Sequence, residues 1–153
     1  MSLRPALLTS LLAALAGCGT GPDEERIFGT YSLVSVEGNS LPYLDQSDPN
    51  CDIFISEGEL RLVVNGTYGL EFSGLLDCSR SGGPADGSIG RFYSGRFSRN
   101  GSTLGFEVHI QGFGDLQFSG TAGSGEAEVA VPPIPPQTGP VLSLQFQLSP
   151  GAP

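Results

Sequence analysis

Apolar and polar side chains alternate along most of this chain. The alternation is clearest in residues 102–111 and 141–148, where every second residue is apolar. In an extended strand such residues all point to one face, so the pattern predicts β-strands with one buried face and one solvated face. In the two segments the apolar positions are Leu104, Phe106, Val108, Ile110, Leu142, Leu144, Phe146 and Leu148.

The alternation predicts nine strands joined mostly by tight turns. Asn65-Gly66 and Asn100-Gly101 each separate two alternating segments, and Asn-Gly is the strongest short-range hairpin signal. Strands joined by such turns pair as antiparallel neighbours, which gives a meander. The predicted strands are 27–36, 51–56, 59–65, 67–76, 89–98, 102–111, 114–121, 126–131 and 141–148.

A meander of this length has to protect its two edge strands. Closing into an up-and-down barrel removes the edges, so we expect an all-β antiparallel barrel of about eight to nine strands. An open β-sandwich is the alternative. Three connections, 37–50, 79–88 and 132–140, are longer than a tight turn, and the last is rich in proline, which cannot donate to a strand ladder.

The composition is that of one turn-rich β-domain. A chain of 153 residues with 39% hydrophobic residues is long enough to bury a core, and 23 Gly and 12 Pro are typical of a protein with many turns. The formal net charge is -9, and all seven basic residues are Arg. This charge argues against binding to nucleic acid or to an anionic lipid surface.

The N-terminus has the three parts of an export signal. A short basic start is followed by an apolar stretch over residues 6–16 and then by small residues. A membrane-spanning helix needs about 20 apolar residues, and this stretch is about half that length. We therefore expect the segment to be removed during export.

The end of this segment, Leu15-Ala16-Gly17-Cys18, resembles the lipobox of bacterial lipoproteins. The resemblance implies that Cys18 is lipidated and becomes the new N-terminus, and that palmitate and further acyl chains hold the protein on a membrane. Residues 1–17 are then a lipoprotein signal peptide, residues 18–26 a flexible tether, and residues 27–149 the folded domain.

The residue after the lipidated cysteine is Gly19. In Gram-negative lipoproteins an Asp there often retains the protein at the inner membrane, so the resemblance implies the outer membrane, facing the periplasm or the cell surface. With Cys18 acylated, Cys51 and Cys78 remain as a pair. The oxidising envelope permits a disulfide between them, and neither the C-x-x-C spacing of a redox site nor further metal ligands are seen.

A second resemblance begins at residues 29–43, GTYSLVSVEGNSLPY. This segment is similar to the first strand of bacterial lipocalin-like lipoprotein domains. Lipocalins carry G-x-W in that strand, and here Gly29-Thr30-Tyr31 has tyrosine in place of tryptophan. The resemblance covers residues 27–148 in strand number and order, and it implies a barrel that can bind a small hydrophobic ligand.

An eight-stranded barrel is just wide enough either to hold one small ligand or to be filled by its own side chains. For a ligand we predict contacts from Tyr31, Tyr43, Phe72 and Phe106. For a filled barrel we predict a non-catalytic structural or protein-interaction module of the cell envelope, which docks a protein partner through an exterior apolar patch. No cofactor is expected in either case.

The sequence predicts no catalytic site. The single histidine, His109, lies on the polar face of its strand, and we expect it to form a solvated pair with Glu107 on that face. No serine has the G-x-S-x-G setting of a nucleophile, and no cysteine remains for nucleophilic work. We therefore expect a protein that is not an enzyme.

The first long loop carries oxygen ligands at spacings that Ca²⁺ could use. The loop lacks the bidentate Glu and the turn glycine of an EF-hand, so we expect an Asp-rich and Asn-rich surface turn and no metal. The residues concerned are Asp45, Asp48, Asn50 and Asp52.

Overall fold

The computed structural model describes residues 27–45, 50–83, 87–133 and 139–150. Cys18 and the segments predicted to be a signal peptide and a tether lie outside the described residues. In the described part, no helix is long and apolar enough to cross a membrane. Ten strands make up nearly all of it: β1 Gly29–Val36, β2 Asn39–Ser40, β3 Tyr43–Asp45, β4 Asp52–Leu62, β5 Thr67–Asp77, β6 Gly87–Asn100, β7 Thr103–Ile110, β8 Gly114–Gly123, β9 Glu126–Val131 and β10 Leu142–Leu148.

Eight of these strands form a closed antiparallel barrel. Strands β4 to β10 pair successively, β10 pairs with β1, and β1 closes the ring on β4. The predicted meander that closes into a barrel is confirmed, and the open sandwich is not the fold. The short strands β2 and β3 lie in the first long connection and pair with β1 and β4.

One strand prediction is wrong. The segments 51–56 and 59–65 are a single strand, β4, whose register against β5 shifts between Ile55 and Glu57. The polar run between the two segments has the composition of a turn, but it forms a β-bulge. A bulge places one extra residue in a strand and bends it, which helps to curve the sheet into a barrel.

The two ends of the barrel differ. At one end, which we call the hairpin end, short turns join β4 to β5, β6 to β7 and β8 to β9. At the opposite end, the loop end, the three long connections β1–β4, β5–β6 and β9–β10 lie beside the short turn between β7 and β8. Strand β1 begins and β10 finishes at the hairpin end.

Both Asn-Gly dipeptides lie at hairpin turns, as predicted, but their turns differ. The first loop spans Val63–Gly66, with the Gly66 N–H donating to the Val63 carbonyl at 3.0 Å and Gly66 at φ 79°. In the second hairpin Asn100 pairs with Thr103, so Gly101 and Ser102 form the turn and Asn100 belongs to the strand. Glycine suits both turns because each requires a positive φ.

The core fills the hairpin half of the barrel and extends toward the loop end along β1, β9 and β10. The apolar faces predicted for β7 and β10 point inward, and Leu104, Phe106, Leu144 and Phe146 are fully buried. Ile27 is buried as well, just before β1. Because the closed sheet and its core lie wholly within residues 27–150, this domain has what it needs to fold on its own.

Candidate functional site

Burial of the inner face varies around the barrel. Toward the hairpin end inward side chains such as Leu60 and Leu70 are fully buried. Near the loop end Val36, Val131 and Leu142, on β1, β9 and β10, are also buried, whereas several large apolar side chains on β4 to β8 are only half-buried. The half-buried inner residues are Ile53, Leu76, Ile89, Ile110, Leu116 and Phe118.

An aromatic cluster occupies the middle of the barrel. The ring of Phe118 lies 5.1 Å from that of Phe106, 5.7 Å from Tyr93 and 6.0 Å from Tyr68, measured between centroids. Phe72 stacks on Tyr93 at 6.4 Å. These spacings are those of favourable aromatic pairs. Phe118 is itself half-buried, so the cluster adjoins the half-buried apolar side chains of β4 to β8.

One polar atom in this cluster is unsatisfied. The hydroxyl of Tyr68 is buried and has no hydrogen-bond partner within the described residues. Burial raises the pKa of this phenol, and the neighbouring Tyr93 adds to the rise. Leaving a buried hydroxyl unpaired costs about 1–3 kcal/mol. The apolar interior of the barrel therefore contains one polar group that a bound molecule could satisfy.

A charged side chain lies at the loop end of the inner face. Arg91 pairs in register with Phe72, which is buried, so both side chains lie on the inner face. Arg91 is half-buried, whereas the other arginines of the barrel strands, Arg61, Arg96 and Arg99, are exposed.

The neighbour of Arg91 on the inner face is Tyr93, whose hydroxyl donates to the Pro132 carbonyl across the barrel at 2.9 Å. Burial raises the pKa of the Tyr93 phenol, and the nearby guanidinium of Arg91 opposes this rise. Together these residues form a polar group on the inner face, next to the aromatic cluster.

The barrel wall has a seam beside this group. Pairing between β6 and β7 extends from Asn100–Thr103 to Arg96–Glu107 and goes no further toward the loop end. Beyond that point the two strands border a cleft of about 280 Å³. Its lining runs from Phe92 to Ser94 on β6 and from Val108 to Gln111 past the end of β7, so it includes residues of both faces.

The predicted ligand contacts are divided between the two ends of the barrel. Phe72 and Phe106 both belong to the aromatic cluster. Tyr31 is fully buried, and its hydroxyl donates to the Ile27 carbonyl at 2.7 Å at the hairpin end. Tyr43 is half-buried in β3, near the loop end. Tyr31 is therefore not brought together with the others, because it closes the opposite end.

The cysteine pair lies at the loop end. Cys51 and Cys78 are at disulfide-bonding distance, with an S–S separation of 2.02 Å, as predicted. They flank the last register pair of β4 and β5, Asp52 with Asp77. Hydrogen bonds from the side chain and backbone of Ser79 lower the pKa of Asp77.

The residues considered for calcium do not assemble as a site in the described structure. Asp52 pairs with Arg80, Asp45 lies in β3, and Asp48 falls outside the described residues. No group of three His, Cys, Asp or Glu side chains within the described ranges is arranged to hold a metal ion.

The pairing predicted for His109 is wrong. Its ring Nδ1 lies 2.8 Å from a carboxylate oxygen of Asp115 on β8, and Glu107 is not its partner. Asp115 is directly opposite His109 in the antiparallel register, whereas Glu107 is two residues away along the same strand. Both members of the pair are exposed, as a solvated surface pair should be.

The outer surface has two notable regions. A cleft of about 430 Å³ over β4, β5 and β6 is lined by Glu57, Glu59 and Glu71 together with Arg91. Nearer the loop end, three apolar side chains are adjacent in register across β3, β4 and β5, and we call them the outer stripe. The stripe consists of Leu44, Phe54 and Leu75, of which Leu75 is 63% exposed.

Arg91 and Tyr93 were not predicted as site residues. Arg91, Tyr93 and Phe97 share one face of a strand, but Phe92 on the other face is aromatic as well, so spacing alone does not show which face is buried. No protein-family model matches the chain, and neither the curated proteins nor the solved structures contain a match.

Proposed function

We propose that this protein is a lipid-anchored lipoprotein of the outer membrane, whose lipocalin-like barrel binds a small hydrophobic ligand at its loop end. The observation that carries the proposal is the set of half-buried apolar side chains on the inner face of β4 to β8 at that end. Ile89 and Leu116 belong to this set, whereas Val36, Val131 and Leu142, on the other side of the ring, are buried. Ligand sites are concave and mostly apolar, with a few polar groups.

The position of the N-terminus supports this arrangement. Strand β1 begins at the hairpin end, where Ile27 is buried and accepts a hydrogen bond from Tyr31. A tether over residues 18–26 joins the barrel at that end. A lipid on Cys18 thus leaves the loop end accessible to a ligand.

The chemistry of the surface supports a role other than catalysis. His109 is exposed and paired with Asp115, and the inner-face group of Arg91 and Tyr93 contains no nucleophile beside a general base. A general base has to lie within hydrogen-bond reach of the substrate proton that it removes. Binding is the function that an arginine beside apolar and aromatic side chains serves best.

Lipidation is tested by labelling cells that express the full chain with radioactive palmitate. We expect the wild-type protein to incorporate the label and to fractionate with membranes. The variant Cys18→Ser should lose the label completely, because the acylated atom is the Cys18 sulfur. The double variant Cys51→Ser/Cys78→Ser is the matched control and should keep it. An unlabelled wild-type protein would contradict the anchor.

Ligand binding is tested with N-phenyl-1-naphthylamine, a neutral probe whose fluorescence rises in apolar sites. Residues 19–153, exported behind a cleavable signal, should bind it with a Kd on the order of 1 μM, about 8 kcal/mol. Ile89→Glu should weaken binding at least about tenfold by burying a charge on the inner face. Ser88→Glu, on the outer face of the same strand, is the control and should bind as wild type. No fluorescence increase with the wild-type domain would refute the proposal.

The alternative, a filled barrel that docks an envelope protein, is favoured by the outer stripe. Leu44 and Leu75 expose apolar surface beside Phe54 on the outside of the sheet. Adjacent exposed apolar side chains of this kind are common at protein-interaction sites. If the neutral probe does not bind, the outer stripe becomes the first surface to test.

A further inference from the structure

The inner face of β6 carries a positive charge where apolar side chains alone would line a pocket for a neutral ligand. Arg91 faces inward beside Phe72 and is half-buried. Burying a guanidinium is unfavourable unless it is paired or hydrogen-bonded. The position of this charge therefore bears on the chemistry of the ligand.

The neighbours of Arg91 leave its charge uncompensated. The Tyr93 phenol is an uncharged partner, and its own proton is donated to the Pro132 carbonyl. Within the described residues, no carboxylate oxygen lies within 4.0 Å of the guanidinium. An arginine has five N–H donors in a planar fork that matches a carboxylate. Most of these donors remain available to an anion.

The acidic side chains of the same strands face the other way. The register places the side chains of Glu57, Glu59 and Glu71 on the opposite face of the sheet from that of Arg91, and Arg91 also borders the cleft that they line. The protein as a whole is acidic, with a net charge of -9, so long-range attraction does not bring an anion to it. Affinity for an anion must come from direct contact on the inner face.

The surroundings of Arg91 are apolar on the same face. Ile89 is the next inward residue along β6, and Ile110 lines the β6–β7 seam together with Tyr93. A molecule bound here contacts the guanidinium of Arg91 and several half-buried aliphatic side chains. That combination fits a ligand with one anionic head and one apolar tail.

We propose that the loop-end site binds an anionic amphiphile, with its carboxylate or phosphate head on Arg91 and its apolar tail along the half-buried inner side chains. This inference rests on the proposed ligand-binding function and adds the class of ligand. Arg91 is a binding residue that determines specificity, and Tyr93 positions its guanidinium.

The test compares cis-parinaric acid with its neutral alcohol in residues 19–153 of the wild type, Arg91→Gln and Arg96→Gln. The wild type and Arg96→Gln, which alters an exposed arginine of the same strand, should bind the acid at least about tenfold more tightly than the alcohol. Arg91→Gln should lose this preference, so that the ratio of its affinities for the acid and the alcohol falls to about one. Arg91→Lys should restore part of the preference.

The outcomes separate the two proposals. Equal binding of acid and alcohol by the wild type, or an unchanged acid preference in Arg91→Gln, overturns the role of Arg91 but leaves the ligand site standing. Failure of the wild type to bind either probe, or N-phenyl-1-naphthylamine, overturns the ligand site itself. Circular dichroism shows whether Arg91→Gln folds. If it does not, the role of Arg91 is tested by comparing the affinities of the wild type and of Arg91→Lys for the acid and for the alcohol.

The source of the anion is distinguished by displacement of the bound cis-parinaric acid. Palmitate represents a free fatty acid, and vesicles of dioleoylphosphatidylglycerol represent a lipid headgroup. Displacement by palmitate at the lower concentration supports a free fatty acid as the ligand, and the reverse order supports a lipid. Displacement by neither overturns the assignment of an anionic amphiphile.

Discussion

Replacing Gly95 by alanine should destabilise the barrel by about 3 kcal/mol, near the upper end for a single substitution. A Cβ atom at this position would lie 1.9 Å from the Glu107 carbonyl oxygen, which belongs to the backbone of β7. A flexible side chain could move aside, but a paired strand cannot without losing its register. We therefore expect the melting temperature to fall by roughly 10 °C in thermal unfolding followed by circular dichroism.

Gly90 supplies the matched control on the same strand. It faces outward, and nothing lies within 4 Å of a Cβ placed there. Gly90→Ala should be neutral or slightly stabilising, because alanine restricts the unfolded chain more than glycine does. If Gly95→Ala and Gly90→Ala have the same melting temperature, the close approach of β7 to Gly95 does not exist in solution.

The same contact recurs around the barrel, which explains why glycine is needed at these points. A Cβ on Gly74 would lie 1.7 Å from the Phe54 carbonyl oxygen, and one on Gly120 would lie 2.3 Å from that of Glu128. All three glycines face inward, where a neighbouring strand bends across them. Sharp bends at glycine allow a sheet to close on itself. We expect Gly74→Ala and Gly120→Ala to destabilise the fold as Gly95→Ala does.

The alternation of apolar residues predicted the strands well because each barrel strand has one buried face. Leu104, Phe106 and Val108 could face only the core, so the extent and orientation of β7 followed from sequence. The bulge in β4 could not be predicted in this way. Its residues have the composition of a turn, and only the pairing with β5 shows that the strand continues.

The glycines and the site required the tertiary structure. The chain has 23 glycines, and nothing local shows that Gly95 lies beneath a carbonyl and that Gly90 lies in open space. Arg91 was missed for a related reason. Its strand has aromatic residues on both faces, Phe92 outside and Tyr93 inside, so the pattern alone does not say which face is buried. The register of β6 against β5 shows that Tyr93 lies on the buried face.

Removing the disulfide should destabilise the barrel about as much as Gly95→Ala does. For Cys51 and Cys78, which are 27 residues apart, the chain-entropy model gives a loss of about 3.5 kcal/mol in the free energy of unfolding. The double variant Cys51→Ser/Cys78→Ser, unfolded in urea, should show this loss. Wild-type protein treated with a reductant should behave in the same way. Equal midpoints for the oxidised wild type and the double variant would contradict the prediction.

The ion pair beside the disulfide provides a control for local effects. Arg80 pairs with Asp52 at the same end of β4, and Arg80 is exposed. Exposed ion pairs contribute about 0–1 kcal/mol, so Arg80→Ala should change the midpoint little. A loss in Arg80→Ala as large as in the double cysteine variant would assign the stability of this end to charge rather than to the covalent bond.

The effect of losing the disulfide should also be uneven across the barrel. The bond holds the loop-end tips of β4 and β5, and β5 in turn holds the first residues of β6 as far as the Leu76–Gly87 pair. Hydrogen exchange should therefore increase first at these tips, while the β8–β9 hairpin at the opposite end stays protected. Because Ile89 and Arg91 follow directly on β6, reduction should also weaken binding of cis-parinaric acid before the barrel unfolds. Uniform exchange across all strands would instead mean that the tips open only with the whole domain.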